Sequence, residues 1–156
     1  MAIDKAASAL VHGNFRQAAR ETYDFAQETA QKSFTPPVTH GLPMRALKAV
    51  DTFAHGVATA AAVVPFVRAA SDVSLFLYGV VKYAAGKAGQ SAFGKESAFY
   101  DLKNSGRLSM SAATLSLLAR PLGFVPGVGT LASAGISAAS HGAATFVSAK
   151  HFVSKG

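Results

Sequence analysis

The sequence predicts an all-α fold: four to five helices forming two helical hairpins, a small membrane-embedded bundle with an amphipathic N-terminal helix. Three observations predict it. Apolar residues recur at three- and four-residue steps through most of the chain, the period of a helix face. Residues 121–149 run without one formal charge, a length that crosses roughly 30 Å of hydrocarbon at helical rise. Within that run Gly135, Ala139 and Ala143 lie four apart, as do Ala134, Ala138 and Gly142, and such small-residue stripes let a second helix come close.

Composition agrees. Half of the 156 residues are hydrophobic, only 15% are charged, and the mean hydropathy is +0.27. A soluble domain averages about 25% charged residues, so solvating groups are scarce. Net charge is +7 and uneven, with no acid after Asp101. The bases flank apolar stretches and are not interleaved with aromatics. That pattern suits a bilayer with anionic head groups or acidic partner loops, and it argues against nucleic acid. Without cysteine there is no disulfide, thiolate metal site or cysteine nucleophile. The N-terminus lacks the apolar core of a signal peptide and carries acids early, unlike a cleavable transit peptide.

The elements follow in order, in two regions, 1–37 and 38–156. Residues 3–33 read as an amphipathic helix, with Ile3, Ala7, Leu10, Val11 and Phe15 on one face and Pro36–Pro37 stopping it. After a linker at 38–43, a second helix starts near Met44, with Leu47, Val50, Ala54 and Val57 on one side. It continues to about Val67 with a kink at Pro65. A third helix, capped by Ser71 or Asp72, covers 73–85 and ends at Gly86 and Gly89. Residues 86–107 read as a polar loop with a short helix at 96–102 and a break at Asn104–Ser105–Gly106. The fourth helix covers 108–119; its Ser109, Ser111, Thr114 and Ser116 can bond back to helix carbonyls in an apolar medium. Pro121, Gly123, Pro126, Gly127 and Gly129 form a turn, and a fifth helix covers 128–152. Lys82 and Arg120 interrupt the apolar segments, so they snorkel or face a bundle interior.

Chemistry-bearing motifs are few. His55-Gly56-Val57-Ala58-Thr59 is echoed by His141-Gly142-Ala143-Ala144-Thr145. Two imidazoles on facing helices could ligate a haem axially; the echo is also what a diluted duplication or chance in an Ala-rich chain would give. Gly123, Gly127 and Gly129 lack the strand and the Lys-Ser/Thr that a phosphate loop needs. His12, His40 and His151 have no metal-site spacing with carboxylates. No serine sits in a nucleophile elbow, and no carboxylate pair points to acid–base catalysis.

Arg68 and Asp72, four apart, sit where one apolar segment ends and the next begins, placed to pair or to fix the turn. With Ala54 before them and Gly79 after, they lie where the mitochondrial preprotein and amino acid transporter family has its signature, and this stretch resembles that family. Val57 stands where the family has an aromatic, and Val80 and Ala84 where it has glycines. The first segment is more charged, and the loop after the third longer, than the family's. The resemblance spans about thirty residues. It implies a mitochondrial inner membrane and a translocase channel or an accessory subunit of respiratory complex I.

These readings converge on a non-catalytic small membrane subunit that stabilises a larger complex. Ala54, Ala58 and Ala62, with the two stripes of the last helix, would dock on other membrane subunits. A soluble Ala-rich adaptor, a translocation or pore component and a bis-His haem subunit are the alternatives.

Overall fold

The computed structural model describes residues 41–94 and 97–153, together with isolated positions between Lys5 and Gln31. The chain divides into two compact units, Met1–Thr35 and Pro36–Gly156. In the first, the described positions are polar, mostly helical and largely exposed. The apolar face expected for a helix over 3–33 lies outside the described residues.

The second unit contains four α-helices: α1 (Leu42–Ala60), α2 (Pro65–Phe93), α3 (Ala98–Leu118) and α4 (Val128–Val153). Short 3-10 turns at Ala61–Val63 and Arg120–Phe124 join α1 to α2 and α3 to α4. No strand occurs among the described residues. Consecutive helices run antiparallel. α2 packs chiefly on α3 and α4 on α1, while α1 and α2 touch little despite being consecutive. Both hairpin turns lie at one end, tied by Arg68, whose Nη2 donates to the Ser116 carbonyl (3.0 Å) and to Ser133 Oγ (2.9 Å).

Proline sets two of the starts. Pro43 lies in the first turn of α1, and Pro65 opens α2, where its missing N–H costs no intrahelical bond. The expected kink at Pro65 is therefore a helix start. α2 begins earlier than the expected 73–85 segment and ends later, at Gly94, whose φ of 82° closes the helix in the left-handed region.

Of the described residues in the expected polar loop at 86–107, all but Gly94 and Ser97 are helical. Gly86 and Gly89 do not stop α2, and Ser105 and Gly106 lie inside α3. These glycines are contact points. A Cβ on Gly79 would stand 2.7 Å from Met110 Cγ, and those on Gly86 and Gly106 would meet the backbones of Lys103 and Tyr83. Packing between α2 and α3 thus overrides the helix-breaking tendency of glycine.

The bundle is turned inside out. Among the described residues, buried polar and charged side chains outnumber buried apolar ones, and most of the apolar ones are alanines. Ala58, Leu75 and Ala113 form a small apolar cluster. Larger apolar side chains face outward, including Phe53, Leu77, Val81, Leu131 and Phe146, and Phe66 and Phe124 at the hairpin turns are 89% and 88% exposed. Soluble proteins follow the opposite arrangement. The side of α1 carrying Val50 and Val57 stands outward, and the inward seam is Met44, Lys48, Asp51, His55 and Ala58. In α2 the seam is Arg68, Asp72, Leu75, Gly79, Lys82 and Gly86. Steps of four and three residues are those of a coiled-coil core, here filled largely with polar groups.

Exposed charges among residues 41–94 and 97–153 are Arg45, Lys87 and Lys150, all at the end opposite the hairpin turns. Arg120, about one-third exposed, is the one partly exposed charge in 108–149, and 46–86 has none. No helix among the described residues is long and apolar enough to cross a membrane.

Candidate functional site

A column of buried polar side chains runs along the bundle axis, and each helix contributes to it at seam positions. One turn of α2 below Arg68 is Asp72, fully buried. Its Oδ2 accepts from Ser116 Oγ (2.8 Å) and from Arg120 Nη2 (3.3 Å), and Arg68 Nε lies 3.9 Å away. Ser137 Oγ is 2.6 Å from Ser116 Oγ and supports it as donor, because the Ser116 proton already points at the carboxylate. Asp72 Oδ1 accepts from His141 Nε2 at 2.9 Å.

His141 and His55 meet at the centre. Both are fully buried, their Nδ1 atoms are 3.1 Å apart, and the rings stack with centroids 5.4 Å apart. One set of tautomers satisfies every neighbour. His141 carries its proton on Nε2 towards Asp72, so its Nδ1 accepts from His55 Nδ1–H. His55 Nε2 then accepts from Ser109 Oγ, 3.1 Å away.

Below the histidines the column ends in an ion pair. Lys82 Nζ donates to Asp51 Oδ1 (2.6 Å), Ser105 Oγ (3.0 Å) and Ser109 Oγ (2.9 Å), using all three of its protons. Ser105 Oγ also donates to Asp51 Oδ2, and Tyr78 Oη donates to Asp51 Oδ1 at 3.2 Å. The ammonium sits 4.1 Å from the centroid of the Tyr78 ring. Burying two charges is costly unless they are paired and hydrogen-bonded, and here all three ammonium protons and both carboxylate oxygens are engaged.

The two His-Gly-x-Ala-Thr segments supply matched parts of this centre. Thr59 Oγ1 donates to the His55 carbonyl (2.8 Å) and Thr145 Oγ1 to the His141 carbonyl (2.9 Å). Ala58 and Ala144 are both buried. A Cβ on Gly142 would sit in ordinary contact with Thr59, 4.0 Å away, and one on Gly56 would meet nothing within 4 Å, so neither glycine is required for the imidazoles to touch.

That contact does not fit haem. Axial ligation sets the macrocycle between the two ligating nitrogens, where these imidazoles are in direct hydrogen-bond contact. Their outer nitrogens are engaged by Asp72 and Ser109. Among the described residues no group of His, Asp and Glu is disposed to hold a metal ion.

Of the other residues singled out from the sequence, Arg68 and Asp72 sit within one turn of α2, both facing inward. Ala58 and Ala62 are buried and Ala54 half-buried. The stripes of α4 separate: Ala134, Ala138 and Gly142 are half-buried, whereas Gly135, Ala139 and Ala143 are exposed. Gly135 has nothing within 4 Å of its Cβ position. Gly123 and Gly127 lie in the turn before α4, where Gly127 has φ 75°, whereas Gly129 is buried in the first turn of α4 itself.

A cavity of about 250 Å³ opens at the hairpin-turn end, lined by Arg68, Arg120, Thr130 and Ser133 among apolar residues including Pro65 and Phe124. Through Arg120 it adjoins the Asp72 end of the column.

Ser105 was read as part of a break and Ser116 as a hydroxyl bonding back to its own helix, while Asp51 and Ser137 escaped the sequence reading. Their signal was available: Asp51 precedes His55, and Ser137 precedes His141, by the four residues that put side chains on one helix face. Comparison with family models, with curated proteins and with solved structures finds no match.

Proposed function

We propose that the chain is a non-catalytic membrane subunit whose bundle lies in apolar surroundings and stabilises a larger membrane complex. The observation that carries this reading is the radial inversion of the bundle, with ion pairs and histidines inside and phenylalanine, leucine and valine outside. In water, so many exposed apolar side chains would drive association. In lipid they are at home, and polar side chains turn towards the bundle interior. Mean hydropathy counts the whole circumference of a helix, so inward-facing Lys82, Asp72 and Arg68 lower it in α2 without touching the outer surface. The outward face of α2 from Pro65 to Gly86 is free of charge over about 33 Å, comparable to a hydrocarbon core of roughly 30 Å.

Further support comes from the exposed cations at one end. Arg45, Lys87 and Lys150 suit contact with anionic head groups, which orients that end towards the more anionic leaflet. The exposed Gly135/Ala139/Ala143 stripe offers a neighbouring helix a smooth approach. An inner mitochondrial membrane is the location that the resemblance around Arg68 and Asp72 implies.

Membrane fractionation and affinity purification in mild detergent test the reading together. The expected outcome is release by detergent but not by alkaline carbonate or high salt, with a stoichiometric set of membrane proteins. Quantitative release by carbonate as a lone monomer contradicts it.

A further inference from the structure

We propose that the buried column is a proton-transfer path, with Lys82 and Asp72 as its terminal donor and acceptor and Ser109, His55 and His141 as the carriers between them. The proposal rests on the membrane reading for its biological setting, and on the side-chain geometry alone for its chemistry. The links are Lys82 Nζ–Ser109 Oγ (2.9 Å), Ser109 Oγ–His55 Nε2 (3.1 Å), His55 Nδ1–His141 Nδ1 (3.1 Å) and His141 Nε2–Asp72 Oδ1 (2.9 Å). Each lies within hydrogen-bond distance, and each carrier both donates and accepts. Structural histidines need no such series. A buried neutral imidazole needs one acceptor and one donor, which a carbonyl and a hydroxyl supply, yet the fold stacks two imidazoles and gives their outer nitrogens one acidic and one basic terminus.

The transfer balances. Lys82 gives a proton to Ser109 Oγ as Ser109 gives its own to His55 Nε2. His55 then gives up Nδ1–H to His141 Nδ1, and His141 gives Nε2–H to Asp72. One N–H bond is lost at Lys82 and one O–H bond is gained at Asp72. The carriers keep their proton counts and change only which atom holds the proton. Ammonium and carboxylate become amine and carboxylic acid, and the reverse transfer restores them. A further proton in the same direction needs each imidazole to return to its starting tautomer, by losing the proton from one nitrogen and taking one on the other, and the serine hydroxyl to turn back towards His55.

The charged and titratable neighbours fit both termini. Asp51 and Tyr78 hold the Lys82 end, with Lys48 also near in the field of Asp51. Arg68 and Arg120 hold the Asp72 end. Arg68 and Arg120, which hold Asp72, line the cavity at the hairpin turns, so the way out for a proton on Asp72 leads past them to that cavity. At the other terminus Asp51 and Lys82 are buried, and half-buried Tyr78 marks the side from which a hydronium ion would restore Lys82.

The test has two arms on the full chain. In the first, purified protein is reconstituted into vesicles of neutral and anionic phospholipid, incorporation is measured by flotation, and a trapped pH dye follows proton entry under a potassium diffusion potential. Incorporated protein is expected to conduct protons, and His55→Gln, Asp72→Asn and Ser109→Ala to lower the flux about tenfold or more at equal flotation. Each variant's helical content is checked by circular dichroism. Incorporated protein without flux, or with flux unchanged in all three variants, overturns the relay while leaving the membrane reading intact.

Failure to float sinks the membrane reading instead, and the second arm then decides the relay. Nitrogen-15 spectra of detergent-held protein should show a coupling between the two Nδ1 atoms. Both rings should change tautomer in one step as acid protonates Asp72. Rings that change separately, or no coupling, overturn the proposal.

Discussion

Asp72 is the most heavily engaged residue of the bundle. Its carboxylate takes hydrogen bonds from His141, Ser116 and Arg120, so each is stabilised partly through the others. Removing one donor leaves a buried charge short of a partner. Ser116→Ala should cost about 1–3 kcal/mol in denaturant unfolding, and Ser137→Ala, which acts through Ser116, should cost less. Lys82→Ala strips Asp51 of its cation and should cost about 3–5 kcal/mol. Combined with Asp51→Asn, Lys82→Met should cost clearly less than the sum of the two single changes, because the partner left behind is then neutral. Additive costs in that cycle would contradict a direct buried pair. At this scale the sequence was half legible. The echoed histidines and Arg68/Asp72 drew notice by their spacing. Nothing in spacing alone tells a ligand pair from a hydrogen-bonded pair, since that depends on how close α1 and α4 come. The serines were read as hydroxyls tolerable in oil, whereas they bridge the charges.

Among the elements, glycine separates contact from exposure. Gly79, Gly86, Gly89 and Gly106 let α2 and α3 nearly touch, and their spacing of seven between Gly79 and Gly86 was the overlooked sign of a packed seam. Gly106→Ala places a methyl against the Tyr83 backbone and should destabilise the bundle by about 1–3 kcal/mol. Gly135→Ala, in open space on a helix, should stabilise α4 by about 0.5–1 kcal/mol. Thermal melts of the two variants in the same detergent compare them directly. Equal melting points would show that α2 and α3 do not pack as described. Helix periodicity was readable for all four elements. The expected loop at 86–107 failed because glycine was read by its propensity, without the helix that presses on it.

Over the whole molecule the radial order of polar and apolar groups governs everything else. The sequence announced an apolar, cation-flanked chain, and a pattern of fours and threes. It did not announce which side of that pattern faces inward, because alanine and serine populate both sides. The difference has consequences for association. Gly135→Leu should leave the unfolding of the isolated bundle within about 0.5 kcal/mol yet reduce recovery of co-purifying membrane proteins. A charge added outside should be felt only in lipid. Leu77→Lys should be nearly neutral in a water-exposed bundle, but should cost about 2.5–3.5 kcal/mol of insertion near a bilayer centre. Retention of Leu77→Lys in carbonate-washed membranes at the level of the unmodified protein would argue against lipid at that face.

The most direct measurement uses the absence of native cysteine. Single substitutions Phe53→Cys, Leu77→Cys and Phe146→Cys, each carrying a nitroxide label, can be reconstituted in vesicles and probed with oxygen and with a water-soluble nickel chelate. The inverted bundle predicts labels relaxed strongly by oxygen and barely by the chelate, with the opposite ranking at Lys87→Cys. Strong relaxation by the chelate at all of these positions would mean that the apolar surface stands in water, and would contradict the account.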